Sequence, residues 1–466
     1  MLSITIINFV ILAVLARLLS PLDFGLMGMV MVAIGFATTI ADLGLGAAVI
    51  QRQDVTDEQL STFFFFNIFL GAILCAIVYF SSGLIAAFFK KSALIGLLKI
   101  ISFSLVIISM GQIFRTLLQK WMDFKSLFKV EISGIIIYGV SSIALAIKGF
   151  GVWSLVYGFL VRQAVETGLL WALTAFKPRL VFNLKKIKNL INFGIYVFGE
   201  RIINYFNRNL DYIIIGRFLG TEALGFYTLA YQLMLFPVSK MSGMVGKVIF
   251  PVFSIVQNDN TKLRNGYLKV VKYISLITFP MMAGLFVVAP EFISVIYGTK
   301  WQPTVLVLQI LCIVGAMQSI GTTVGSVLYS KGRSDIAFKW NCFAICCYAA
   351  AFLLGVRRGI VGVATAYTIT GLILFPIVQT ITNNLIDLKW KPFLKQFTNQ
   401  FIGGALIILF VFGFKTIMLK EFGFSQIPVL VIAILIGIVV YTAFVFFRGK
   451  SSIIEGIEIL KIKRKL

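Results

Sequence analysis

The chain has 466 residues, of which 59% are hydrophobic and 13% are charged, about half the charged fraction of roughly 25% that is usual in soluble proteins. Apolar runs of about 20 residues recur along it, the length needed to cross a hydrocarbon layer of about 30 Å. There is no His, so the commonest general base and transition-metal ligand is absent. These features exclude a soluble globular protein and indicate a helical membrane protein with many spans.

The apolar runs predict an all-α, polytopic fold with about 14 transmembrane helices and short loops. The first six helices predict an N-terminal lobe at residues 1–176, and a basic cytoplasmic linker follows at 177–187. Six more predict a second lobe at 188–383, and two further helices with a basic tail occupy 384–466. The spans cover residues 2–17, 24–50, 61–89, 95–118, 126–147, 150–175, 188–216, 222–254, 266–290, 302–328, 335–355, 359–382, 397–418 and 426–447.

The net charge of +24 is explained by the predicted orientation of the helices in the membrane. With the N-terminus in the cytoplasm, 25 Lys and Arg fall in cytoplasmic segments and 10 in outer segments. Such an excess is the positive-inside pattern. Both termini are therefore predicted to be cytoplasmic, and the basic balance does not indicate binding of nucleic acid. The five Cys all lie in apolar runs without a CxxC spacing, so no metal or cofactor is predicted.

An internal repeat relates the two predicted lobes. The stretch ARLLSPLDFG (16–25) matches GRFLGTEALG (216–225) at an offset of 200 residues, with Arg17, Leu19 and Gly25 equivalent to Arg217, Leu219 and Gly225. Weaker matches at an offset of 210 follow in the same order in both halves. Because each half has an even number of helices, the halves have the same orientation and form a parallel repeat. Transporters are often built in this way, with the substrate site between the halves near the membrane midplane.

A polar stripe on the seventh predicted helix is the most informative feature inside the membrane. Arg201, Asn204, Tyr205, Arg208 and Tyr212 recur at helical spacing on one face. Charges facing lipid are costly, so this face is expected to meet a cavity or a partner. The alternative is that the stripe merely holds helices together. Seven basic residues remain within the spans: Lys99, Arg115, Arg162, Arg201, Arg208, Lys240 and Lys247.

Acidic residues within the spans are fewer, so the interior keeps a basic excess that suits an anionic substrate. Arg forms bidentate hydrogen bonds to phosphate oxygens, and a sugar carried on a lipid diphosphate has such a group. Arg162 and Glu166 are four residues apart, so a local ion pair is the alternative for them. No phosphate loop of the Walker type occurs, which argues against ATP as the energy source.

Two long stretches carry a resemblance to a known family. ARLLSPLDFGLMGMVMVAIGFATTIADLGLGAAVIQR (16–52) and NRNLDYIIIGRFLGTEALGFYTLAYQLMLFPVSKM (207–241) resemble the Wzx-type oligosaccharide flippases, in the branch that exports colanic-acid-like and teichuronic-acid-like units. These belong to the multidrug/oligosaccharidyl-lipid/polysaccharide exporter superfamily. The resemblance implies a MATE-like fold with two six-helix lobes and alternating access. It also implies the bacterial cytoplasmic (inner) membrane and no enzymatic activity.

The resemblance further implies a substrate and a site. The substrate is an undecaprenyl-diphosphate-linked oligosaccharide, moved to the outer leaflet for surface polysaccharides such as lipopolysaccharide or capsule and handed to a polymerase machinery. A cationic cavity is expected to bind the diphosphate, and we place it on Arg162, Arg201, Arg208 and Lys240. Coupling to H⁺ or Na⁺ influx is expected, with Asp42, Glu166, Glu200 and Asp211 as candidate carboxylates.

Two other functions remain open from the sequence. A cation-coupled multidrug exporter of the same superfamily would favour an acidic cavity, which the basic excess opposes. A membrane polymerase or ligase of polysaccharide would also have many spans and a basic site. Such enzymes typically carry one long outer loop, and none is predicted here.

Overall fold

The computed structural model describes residues 2–42, 45–51, 54–420 and 423–448, and within these ranges the chain is helical without strands. Each of the fourteen predicted spans coincides with one helix or with two consecutive helices, which confirms the all-α polytopic class. The helices are α1 (Leu2–Leu18), α2 (Pro21–Asp42), α3 (Leu45–Gln51), α4 (Asp57–Phe89), α5 (Leu94–Ile101), α6 (Phe103–Lys120), α7 (Phe124–Ile147), α8 (Val152–Leu173), α9 (Leu184–Phe218), α10 (Thr221–Ile255), α11 (Asn260–Phe292), α12 (Thr304–Ser330), α13 (Ser334–Gly355), α14 (Gly359–Leu385), α15 (Trp390–Lys420) and α16 (Gln426–Arg448).

Most of these helices expose apolar surface outward. In the described part of the chain, nine helical segments are long and apolar enough to cross a membrane. Only 28% of the apolar window in Trp390–Leu419 and 22% of that in Gln426–Arg448 is buried. A soluble protein rarely exposes contiguous apolar surface on this scale, so lipid is the solvent that these faces require. The chain is a multi-pass membrane protein.

The chain divides into two compact units, Met1–Thr228 and Leu229–Leu466. In the first unit α9, which opens the second predicted lobe, packs against α2, α3 and α4. The predicted lobes, separated at 177–187 and ending before 384, are defined by the internal repeat and not by compactness. Their boundaries stay a prediction. The division into compact units places α9 with the helices that precede it.

The core of the first unit joins α4, α6, α7 and α8. Phe63, Phe114, Val130 and Leu170 are its buried centre. On α4 a methyl group at Gly71 would overlap the Ser109 hydroxyl of α6, so glycine at this position lets the two helices approach closely. Thr56 caps the first turn of α4, because its hydroxyl accepts a hydrogen bond from the backbone amide of Gln59 at 3.3 Å. The Gln59 side chain accepts one from the Thr56 backbone amide in return, which completes a capping box.

The second unit has its own core and buried polar contacts. The Tyr267 hydroxyl on α11 donates to Gln379 Oε1 on α14 at 3.0 Å, beside the apolar cluster around Phe393. The Lys415 ammonium on α15 lies 2.6 Å from Glu291 Oε2 on α11, and both residues are buried. In a membrane such pairing satisfies charges that lipid would leave unsolvated, so it ties α15 to α11.

Candidate functional site

A polar cavity of about 470 Å³ lies within the first unit, lined by α2, α4, α6 and α9. Ten of its twelve lining residues carry a polar or charged side chain, and only Ala41 and Ile108 are apolar. The membrane-spanning parts of α2 and α4 are otherwise mostly apolar, so this concentration of polar groups distinguishes the cavity from the lipid-facing surface.

The wall contributed by α9 is the polar stripe predicted from the sequence. Four of the five stripe residues line the cavity: Arg201, Asn204, Tyr205 and Arg208. Asn209 joins them, and its side-chain amide donates to the Tyr205 carbonyl at 2.8 Å. The fifth stripe residue, Tyr212, is not among the lining residues and packs edge-on against Tyr227.

Tyr205 fixes α9 against α2. Its hydroxyl donates to the Val32 carbonyl, and its ring centroid lies 5.6 Å from that of Phe36. A Cβ atom at Gly35 would lie 3.1 Å from the Tyr205 ring. The ring fits closely against α2 because residue 35 has no side chain. Arg201 and Arg208 lie about one turn on either side of Tyr205 on the same helix, and this anchor therefore positions both guanidinium groups.

The cavity wall is cationic. Arg201 and Arg208 contribute two positive charges, and none of the lining residues is a carboxylate. Arg208 is exposed and forms no ion pair with any carboxylate that the structure describes. A guanidinium group in such a position is available to an anion that enters the cavity.

Arg162, by contrast, is not on this wall. Its Nε atom donates to Glu166 Oε1 at 2.7 Å, so the local ion pair considered from the sequence is present. Arg115 donates to the other oxygen of Glu166 at 2.8 Å and lies 3.9 Å from Glu131. The four side chains have no net charge, and together they join α6, α7 and α8. Glu166 is buried in space left by Gly134, where a Cβ atom would lie 2.5 Å from Glu166 Oε1.

Of the remaining predicted site residues, only Asp211 has a described side chain. It is buried and accepts hydrogen bonds from the Tyr227 hydroxyl at 2.8 Å and the Tyr212 backbone amide at 2.9 Å. These contacts connect the end of α9 to the start of α10. The side chains of Lys240, Asp42 and Glu200 lie outside the described residues.

Sequence reasoning missed the neutral side of the cavity. This side consists of Thr38 and Thr39 on α2, Asn67 on α4, and Ser109 and Gln112 on α6. A signal for Asn67 was present, because it interrupts the apolar run FFFFNIFL at 63–70. A single polar residue in such a run does not reveal which helix it faces, so the sequence could not connect it with Arg201.

The two sides of the cavity suit two kinds of chemical group. Guanidinium groups match the oxygens of a phosphate or diphosphate. Amide and hydroxyl groups match neutral hydroxyls, which both donate and accept hydrogen bonds. The cavity therefore suits a ligand that carries an anionic group next to a neutral, hydroxyl-rich group.

Comparison with known proteins places this chain in a family. A family described as "Polysaccharide biosynthesis protein" matches residues 14–306. The chain is 35% identical to the teichuronic acid biosynthesis protein TuaB of Bacillus subtilis (strain 168), covering 81% of this chain and 79% of that protein. It is 32% identical to the lipopolysaccharide biosynthesis protein WzxC of Escherichia coli (strain K12), covering 85% of this chain and 80% of that protein.

Among solved structures, the chain is similar to the lipid II flippase MurJ in an inward closed conformation. The TM-score is 0.78 with 18% sequence identity, covering 96% of this chain and 98% of that chain. At this identity the similarity establishes a common fold. The fold and the cavity thus lie in a chain whose sequence relatives are named for polysaccharide biosynthesis.

Proposed function

Because the chain belongs to the polysaccharide biosynthesis protein family, we propose that it is a flippase, which moves a lipid-linked oligosaccharide across the membrane. The family is the one predicted from the sequence, and the proposed activity is transport rather than an enzymatic reaction. The observation that carries the proposal is the position of Arg201 and Arg208 on one wall of a polar cavity within apolar helices. Such a wall can hold the charged headgroup of a lipid while its apolar tail remains in the bilayer.

The substrate that fits this wall is a lipid diphosphate bearing sugars. Arg201 and Arg208 are seven residues apart, about 10 Å along the helix axis, and both line the same cavity. Two guanidinium groups at this separation can bind the two phosphates of a diphosphate or share one of them. The volume of about 470 Å³ lies within the range of about 300–1,000 Å³ typical of small-molecule sites. It suits the diphosphate with the nearest sugar, so a longer glycan must extend beyond it.

Orientation and transport cycle complete the proposal. The excess of basic residues in alternate loops supports cytoplasmic termini and the bacterial cytoplasmic membrane as the location. Transport then runs from the cytoplasmic to the outer leaflet by alternating access. An undecaprenyl-diphosphate-linked repeat unit is the proposed cargo, and a polysaccharide polymerase machinery is the proposed recipient.

Ion coupling is assigned to Asp211 in preference to Glu166. Glu166 is held by two arginines at 2.7 and 2.8 Å, so its charge is already compensated. Asp211 is buried and receives its hydrogen bonds from a tyrosine hydroxyl and a backbone amide, which are neutral groups. A buried carboxylate with neutral partners can bind and release a proton or a sodium ion during a transport cycle. We expect Asp211→Asn to keep substrate binding and to make transport independent of the H⁺ and Na⁺ gradients.

The proposal is tested by reconstitution. The purified protein in liposomes should move a fluorescent undecaprenyl-diphosphate-linked glycan between leaflets. Arg201→Ala or Arg208→Ala should abolish this movement in protein that is still folded, as checked by thermal unfolding. Arg357→Ala is the matched control, because it removes the same charge from an exposed position in a short 3-10 helix, Val356–Arg358.

If both cavity variants moved the lipid-linked glycan as the wild type does, the substrate site would not be on α9. Absence of movement in the wild type with a matched glycan would favour other functions. Elongation of a glycan by the protein alone would then indicate a polymerase, and resistance to cationic dyes in cells would indicate a multidrug exporter.

A further inference from the structure

Asn67 is a buried polar side chain without a partner. It lies on α4, is 3% exposed and lines the cavity that contains Arg201 and Arg208. Neither its amide oxygen nor its amide nitrogen has a hydrogen-bond partner among the described residues. Because nearly all buried polar groups in proteins are hydrogen-bonded, a buried amide with both atoms unpaired indicates a position that a ligand can satisfy.

The packing of α4 explains why Asn67 faces the cavity. Gly71 lies four residues further along the same face of α4, and the close approach of the Ser109 hydroxyl at Gly71 brings α4 against α6. Asn67 is therefore held at the edge of this contact, where the cavity begins. A buried amide without hydrogen-bond partners is destabilising, so a chain selected for stability alone would place an apolar residue of similar size there.

The neighbouring hydroxyl groups already donate hydrogen bonds to backbone carbonyls of their own helices. Ser109 donates to the Leu105 carbonyl at 2.6 Å. Thr38 and Thr39 both donate to the Gly35 carbonyl, at 2.9 and 2.8 Å. These three side chains can still accept hydrogen bonds from a ligand. On this side of the cavity, Asn67 supplies unpaired donors as well as an unpaired acceptor.

The chemistry of an amide selects what it can bind. A phosphate oxygen only accepts hydrogen bonds, so it would leave the amide oxygen of Asn67 unpaired. A sugar hydroxyl or an acetamido group offers a donor and an acceptor side by side and satisfies both amide atoms. We propose that Asn67 recognises the sugar attached directly to the diphosphate, while Arg201 and Arg208 bind the diphosphate itself. This inference rests on the proposed function and adds to it a residue that distinguishes a glycosylated lipid from a bare one.

The test compares three lipids on the full-length protein in detergent. The probes are undecaprenyl diphosphate and the same lipid bearing a single glucose or a single N-acetylglucosamine. Wild-type protein should bind at least one of the two sugar-bearing lipids about tenfold more tightly than the bare lipid, the effect of one or two hydrogen bonds. In Asn67→Leu, which has a similar volume, this preference should disappear while affinity for the bare lipid is unchanged. Arg201→Ala should weaken binding of all three lipids.

Thermal stability without ligand gives a second, independent readout. Replacing an unpaired amide by an apolar group of similar size should leave the melting temperature unchanged or raise it. Retention of the sugar preference by Asn67→Leu would overturn the inference, as would an equal loss of affinity for all three lipids. A lower melting temperature would also overturn it, because it would show that the amide has a structural partner.

Failure of the proposed function has a different signature. If wild-type protein bound none of the three lipids, or if Arg201→Ala bound all three as the wild type does, the diphosphate site itself would be wrong. Loss of the sugar preference in Asn67→Leu, with Arg201→Ala defective for every lipid, supports both conclusions together.

Discussion

Gly25 and Gly225 pack against each other's helix, although 200 residues separate them in the chain. A methyl group at Gly25 would overlap the Thr221 carbonyl at the start of α10, and one at Gly225 would overlap the Pro21 carbonyl at the start of α2. Pro21 and Thr221 are themselves 200 residues apart, so the contact is reciprocal. The two copies of the repeated motif thus meet at their glycines, which supports the predicted relation between the two halves.

This contact predicts that Gly25→Ala and Gly225→Ala destabilise the protein. The added methyl group must push apart two backbones, at a cost of about 1–3 kcal/mol. Thermal unfolding in detergent would measure the change. Gly83→Ala is the control, because a methyl group added to Gly83 in α4 would meet no atom within 4 Å beyond its chain neighbours and its own helix backbone. There the substitution should be neutral or stabilising by up to about 1 kcal/mol. Equal stability of Gly25→Ala and Gly83→Ala would contradict the close contact.

Tyr205→Phe is expected to lower transport more than its effect on stability alone would cause. Loss of the hydroxyl that donates to the Val32 carbonyl should cost about 1 kcal/mol of stability. Because Tyr205 anchors α9 between Arg201 and Arg208, the guanidinium groups lose their fixed position and transport falls several-fold. Liposome transport and melting temperature should be measured together. Tyr157→Phe, at a 39% exposed tyrosine, is the control and should change neither.

Glu166→Gln is expected to destabilise the first unit by about 2–3 kcal/mol. Arg115 and Arg162 both donate to this buried carboxylate, and removing its charge leaves two partly buried guanidinium groups poorly compensated. The exposed pair of Arg333 and Asp335 provides the comparison, since solvent screens it and Asp335→Asn should change stability much less than Glu166→Gln does. Equal losses of stability in the two variants would mean that the Glu166 cluster is solvated.

The first turn of α7 should open more readily in acid. The Ser126 hydroxyl and backbone amide stabilise the Asp123 carboxylate and lower its pKa below the usual value of 3.8. The capping contribution is complete above that usual value and is lost as the pH falls through the lower folded-state pKa. Hydrogen exchange at Ser126 and Leu127, corrected for intrinsic rates, should therefore show increasing exposure below about pH 4. In Asp123→Asn the amide oxygen still caps the helix, so this pH dependence should vanish; its persistence would place the titrating group elsewhere.

Local properties of the sequence determined the helices and the stripe on α9. Apolar runs of sufficient length must become helices in lipid, because only a helix satisfies its own backbone hydrogen bonds there. Helical spacing alone places Arg201, Tyr205 and Arg208 on one face. Neither inference depends on what the helix packs against, which is why the fold class and the polar stripe could be predicted from the sequence.

Tertiary structure decided which charged residues join the Glu166 cluster, which line the cavity, and which side chains lie opposite them. Spacing indicated that Arg162 can reach Glu166, but Arg115, which takes the second oxygen of that carboxylate, is 51 residues away. Likewise, Asn67 shares a cavity with Arg201 and Arg208 only because α4 packs beside α6 and α9. A helix constrains its own neighbours three and four residues along, whereas the partner across a helix interface depends on how whole faces pack. The chain therefore specified a cationic face locally, and folding determined which arginines hold Glu166 and which line the cavity.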